Sequence, residues 1–286
     1  MMRFSSLVAG AMALAMTTVA AAAQTPQYTS LAGVVHLSQA DTGAVARAKA
    51  AVDADPKNVD KLFALGMAQT SVRQLREAIA TFTTAIKVDP KQARLYRQRG
   101  HRYISTGQFG KAMADLKKGA TLDSMDYGIW YHLGVANFEA GKFSEAAAAF
   151  ARGRTMPPST NEYTGSTDWL WMSLARAGRM AEADKMVRSL PDTFKIPVNY
   201  AYGRRLMLYR GELTPEAVVA GGDTSDVQQA TLNFGVATWY MAKRDTAHAR
   251  PYFEKSVATK GWPAFAYLLS ERTLAAIDAK SKKKVR

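Results

Sequence analysis

The side chains best suited to proton transfer or metal ligation near neutral pH are four histidines, His36, His101, His132 and His248. None stands in a His-Glu-x-x-His motif or in any other close ligand pair, so no metal site is expected. The chain contains no cysteine, which removes disulfides, thiolate nucleophiles and Cys-based metal sites together. There is no Gly-x-Ser-x-Gly elbow and no glycine-rich phosphate loop ending in Lys-Ser or Lys-Thr, and Gly221-Gly222-Asp223 reads as a turn. Carboxylates occur singly, as caps or solvated charges. No catalytic constellation results: the expectation is a non-enzyme without a cofactor. Binding chemistry is better represented. Arg94 and Arg97 lie one helical turn apart, and guanidinium forks grip carboxylates through paired hydrogen bonds. Between residues 93 and 120 there are seven basic residues and one acid, Asp115.

Positioning these groups falls to a repeat. Gly66, Gly100 and Gly134 are 34 residues apart, and Ala78, Ala112 and Ala146 keep the same step. So do Leu65/Arg99/Leu133, Phe82/Leu116/Phe150 and Pro90/Ser124/Pro158. Small residues at two fixed phases let paired helices approach closely, and large residues around them fill the remaining space. Proline at the end of the first and third units stops the second helix. Gly107 and Gly141 suit the turn inside a pair. A period of this length with this content defines stacked helix pairs.

These phases resemble the tetratricopeptide repeat (TPR) family, with three units covering 57–160. Arg99 stands where the family has an apolar residue, Asn137 where it has Tyr and Ser124 where it has Pro, each expected to loosen one contact. The resemblance implies an all-α, TPR-like solenoid, a right-handed superhelix whose first helices line a concave groove. It also implies which residues face inward. Phe63 and Met67 come from the first repeat, Arg94, Arg97 and His101 from the second, and Tyr131 and Phe138 from the third. Two arginines beside an aromatic and Met strip suit an extended peptide that carries acidic residues or a free C-terminal carboxylate. His101 and His132 fall at nearby phases of adjacent repeats, which would let them meet, although isolated helix-face histidines are the ordinary reading.

Around the repeats, 24–56 reads as a loose polar leader followed by a capping half-repeat. After Pro158 the spacing slips. A loop over Ser159–Thr167 is expected, then divergent pairs and a last helix within 161–279 that covers the end of the stack, then a frayed basic tail, 280–286. Trp169, Trp171, Trp239 and Trp262 are expected in the core. The order of parts after 158 is similar to that of bacterial envelope TPR lipoproteins that scaffold murein hydrolases, without their lipid-anchor cysteine. That likeness implies an envelope adaptor whose partners are other proteins.

Residues 1–23 read as a signal peptide. Arg3 precedes an apolar core from Leu7, and Ala21-Ala22-Ala23 forms a cleavage pattern. The expected location is a periplasm. A net charge of +14 favours anionic surfaces. An alternative function is therefore binding of an anionic polymer such as cell wall, or of a membrane surface. Export makes nucleic acid an improbable partner, and no later stretch is apolar enough to span a bilayer.

Overall fold

The computed structural model describes residues 24–191, 200–221 and 224–285. The expected signal peptide, most of the Pro191–Pro197 break and part of the Ala220–Asp223 loop lie outside the described residues.

A single helix, α1 (Ala44–Ala54), packs on the first pair, α2 (Val59–Ser71) and α3 (Leu75–Val88). The second pair is α4 (Ala93–Ser105) and α5 (Phe109–Leu122), and the third is α6 (Tyr127–Glu139) and α7 (Phe143–Arg154). Asn58 caps α2 by accepting from the amides of Asp60 and Lys61, and Asp126 caps α6 in the same way through Gly128 and Ile129. The turns inside the second and third pairs use Gly107 and Gly141 at φ +73° and +72°. At the same phase of the first pair Arg73 adopts φ +59° without glycine's freedom.

The small-residue phases act as the period implies. A Cβ on Gly66 would stand 2.6 Å from the Phe82 ring, one on Gly134 2.6 Å from Phe150, and one on Gly100 2.8 Å from Leu116. Ala78, Ala112 and Ala146 are fully buried beside them. Arg99 does not loosen its site. Its guanidinium grips Asp115 of α5 through two bonds of 2.7 Å and also donates to Thr83, so the lost apolar contact is replaced by a fork that links three helices.

Beyond the third pair come α8 (Thr160–Arg176), α9 (Met180–Arg188), α10 (Tyr200–Tyr209), α11 (Pro215–Ala220), α12 (Asp226–Ala242), α13 (Thr246–Val257) and α14 (Phe265–Val285). Two expectations fail here. The Ser159–Thr167 loop is the first half of α8, which is buried on every side from Thr164 to Ala175. Its polar residues stay helical because Thr164, Thr167 and Ser173 each donate a hydroxyl to the carbonyl four residues back, at 2.7–2.8 Å. The basic tail, in turn, continues α14 to Val285. Trp169, Trp171 and Trp262 are core residues. Trp239 is partly open and lies under the Lys243 ammonium.

The leader is not loose. Strands β1 (Pro26–Thr29) and β2 (Val35–Leu37) form an antiparallel hairpin. Gln27 is buried against the start of α3, where it accepts from the Arg76 amide and donates to Glu77. Tyr28 reaches the far end of the chain, donating to Glu271 of α14 at 2.7 Å and stacking with Trp262. The hairpin therefore clasps the first repeat to the last helix and closes the solenoid on itself.

Candidate functional site

The concave face is built by α2, α4, α6 and α8, and the chain itself covers part of it. Helix α14 begins over the middle of α4 and α6, with the Phe265 ring 5.2 Å from His101 and 5.9 Å from His132. Two turns later Arg272 lies over Phe109 and pairs with Glu139 at the end of α6. Burial lifts the Glu139 carboxyl to about 8, with Arg272 pulling the other way.

The two groove arginines are already engaged. Arg94 pairs with Asp60, its counterpart one repeat earlier, and sits 4.6 Å above the Phe63 ring. Arg97 donates to Asp126 at 2.9 Å, on the oxygen that also caps α6. Both retain exposed surface, and Met67 beside them is open. Phe138 does not line the groove: it is buried among Phe143, Trp169 and Phe234, and so packs the third repeat onto the divergent half. Helices α8 and α12 bring Trp169 and Phe234 onto this position, which phase arithmetic from an open solenoid cannot see.

His101 and His132 do meet, with ring centroids 4.1 Å apart. The His132 Nδ1 donates to the Gly128 carbonyl at 2.6 Å, the tautomer its surroundings require. Burial, and then the nearby Arg102 charge, hold both imidazoles neutral, His132 down to about 3. Arg102 itself is more than nine-tenths buried, and its Nε and Nη1 meet no acceptor among the described residues. Desolvation lowers it to about 10.

Beside this pair two clefts adjoin. One, of ≈ 170 Å³, lies between His101, Trp169, Arg205 and Phe265. The other, of ≈ 250 Å³, lies between Tyr127, His132, Asn161 and Glu162. Tyr131 and Tyr202 line both, with their hydroxyls 3.1 Å apart. Burial raises the Tyr131 hydroxyl well above its usual range. Between Arg205 in one cleft and Glu162 in the other, the shared wall offers neutral phenols and imidazoles, which stack and share hydrogen bonds. Beneath them Arg205 and Asp168 form a fully buried ion pair at 2.9 Å, with Asp168 lifted to about 7 by burial against the pull of Arg205. Gly235 makes room for it, since a Cβ there would fall 1.9 Å from the Arg205 Nε. Sequence reading missed this pair, because its residues come from helices outside the period. Among the described residues no cluster of His, Asp and Glu could hold a metal ion, and no helix is long and apolar enough to cross a membrane.

Helix hairpins stacked around a concave face define an α-solenoid interaction fold. Residues 62–92, which span most of the first pair, match the family described as tetratricopeptide repeat. Among solved structures, the APC/C hetero-tetramer Cut9–Hcn1 is similar with a TM-score of 0.51 and 15% identity, covering 82% of this chain and 46% of that one. YrrB, described as a TPR protein with an unusual peptide-binding site, gives 0.48 and 15%, covering 80% of this chain and 98% of its own. MamA gives 0.47 and 22%, covering 50% and 82%. No curated protein matches the sequence.

Proposed function

We propose that the chain is a non-enzymatic scaffold of the bacterial cell envelope that holds a segment of another protein along the open part of its concave face. The observation that carries this reading is the row Phe63, Met67 and Arg94, an aromatic ring under a half-exposed guanidinium next to an exposed thioether. Aromatic area and an arginine fork are the usual anchors of peptide recognition. An incoming carboxylate would compete with Asp60, whose side chain is largely solvated and holds Arg94 only weakly. The Tyr131–Tyr202 clefts add hydrogen-bonding hydroxyls on the same face, between Glu162 and Arg205. The signal-like segment before Gln24 supports export to the periplasm, and the order of the divergent half supports an envelope role.

A photo-crosslinking residue at Met67, compared with one at Lys118, tests the reading in living cells. Discrete adducts from position 67 are expected, absent from 118 and abolished by Arg94→Glu/Arg97→Glu. The Arg94–Asp60 pair is largely solvated and worth about 0–1 kcal/mol, whereas Asp126 is mostly buried and caps α6, so circular dichroism melting verifies the fold of the double variant. Equal adducts from both positions, or adducts that ignore the reversal, would remove the groove from the account. The intact mass of the periplasmic protein should place its first residue at Gln24.

A further inference from the structure

The hairpin turns one face onto the solenoid and the other away from it. On β2, His36 faces inward, stacked 5.2 Å from Trp262 and edge-on to Tyr267. Its neighbours Val35 and Leu37 face outward, 51% and 41% exposed. The connecting turn adds Leu31 at 58% and Val34 at 52%. Single exposed apolar side chains are ordinary, but four within seven residues of one small element form a patch. Among the described residues the other exposed large apolar side chains, Met67, Val88, Met125 and Val227, are scattered along the chain.

A basic feature stands beside this patch. The Leu31 amide is held by Glu271 at 2.5 Å, which fixes the turn against α14. Leu31 then shares a cleft with Ile277 and Lys280 of the same helix. From Lys280 to its end the sequence carries five basic residues and no acid. Asp278, just before them, is occupied by Arg250 at 2.8 Å.

We propose that this end of the molecule docks on an anionic lipid surface. Leu31, Val34, Val35 and Leu37 enter the boundary between headgroups and acyl chains, and Lys280 and Lys282 meet the headgroup phosphates. The argument is complementarity in both respects. A polyanion such as cell wall would engage the lysines and leave the apolar tip in water. A second copy would cover the tip but bring two basic helix ends together. A lipid surface alone accommodates an apolar wedge beside a basic stripe. The proposal rests on the hairpin and α14, so it stands or falls separately from the groove.

Protein purified from cells expressing the full sequence is sedimented with vesicles of phosphatidylglycerol and phosphatidylethanolamine, or of phosphatidylcholine alone. Intact mass ensures that wild type and variants are compared in the same form. The wild type should partition to the anionic vesicles and lose that binding as salt rises from about 0.05 to about 0.5 M. Leu31→Asp/Val35→Asp and Lys280→Glu/Lys282→Glu should each weaken it by about tenfold or more. Leu31→Ser/Val35→Thr serves as a second hairpin variant with less effect on folding, and circular dichroism melting verifies each. Anionic-vesicle binding that both hairpin variants leave unchanged would overturn the proposal. So would a lysine-dependent affinity for isolated sacculi with no vesicle binding, or a dimer in light scattering that the hairpin variants convert to monomer.

Discussion

Protonating His132 would place a charge against His101, Arg102 and the Phe265 ring, in a seam that holds it down to about 3. In the unfolded chain the same imidazole titrates near its ordinary value of 6.5. Between those two points the unfolded state binds the extra proton, so stability falls as pH falls. The contribution is whole above about pH 6.5 and shrinks steadily below it. We expect the wild type to lose on the order of 2 kcal/mol relative to His132→Gln between about pH 6.5 and pH 4.5. Urea melts of both proteins across that range check it, and parallel curves would mean that solvent reaches the seam. Glu139, lifted to about 8, acts in the opposite direction over a range that reaches higher pH. The difference between the two proteins is therefore the informative quantity. Arg99 carries a related lesson, since a charge where an apolar residue belongs is tolerated because Asp115 meets it at two points.

The helix pairs stand closer together than side chains would allow, and Gly134 shows by how much. A methyl group there would sit 2.6 Å from the Phe150 ring, well inside contact distance. Alanine gains about 1 kcal/mol of helix propensity over glycine. Overpacking of a rigid ring costs about 1–3 kcal/mol, and we expect the second effect to win by about 1 kcal/mol in Gly134→Ala. Adding Phe150→Leu opens space, so the double variant should be more stable than the sum of the singles. Thermal melts of the four-protein cycle measure that coupling, and strict additivity would show that α6 and α7 part freely. This close approach is why the first three pairs were legible: small and large residues recur at fixed phases because backbone contact permits nothing else. Helix α8 was hidden by its own solution to burial, since Thr164, Thr167 and Ser173 satisfy their hydroxyls inside the helix and read as loop in sequence. The hairpin was hidden because β1 and β2 are short and owe their order to partners 49 to more than two hundred residues away. Within the site, phase allowed His101 and His132 to meet but the ordinary reading kept them apart, and the burial of Phe138 depended on α8 and α12.

An open solenoid is coupled only between neighbours, so its two ends should fray independently. Here the ends are joined. Gln39 donates its amide to the Val72 carbonyl at the turn after α2, while Tyr28 and the Leu31 amide both donate to Glu271. Trp262, Tyr267 and Leu268 pack with Leu75 in one apolar cluster with Tyr28 at its edge. Opening either end therefore disturbs the other, and the start of α14, which also packs on α12 and α13, lies over His101 and His132. Hydrogen bonds to a buried carboxylate contribute roughly 1.5–3 kcal/mol each. Their loss in Tyr28→Phe/Glu271→Gln should release the hairpin without unfolding the repeats, because α2 to α7 keep their own contacts. Amide exchange across β1 and β2 and in the first turns of α14 should accelerate by about tenfold or more. Protection in α6 and α7 should be unchanged. Exchange that rises uniformly along the chain would make the clasp part of one cooperative core, and exchange that rises nowhere would assign closure to the Trp262 cluster alone. With the predicted pattern, closure is a separable contact between the two ends, and access to the covered part of the concave face is set by a hairpin at the opposite end of the sequence from the helix it restrains.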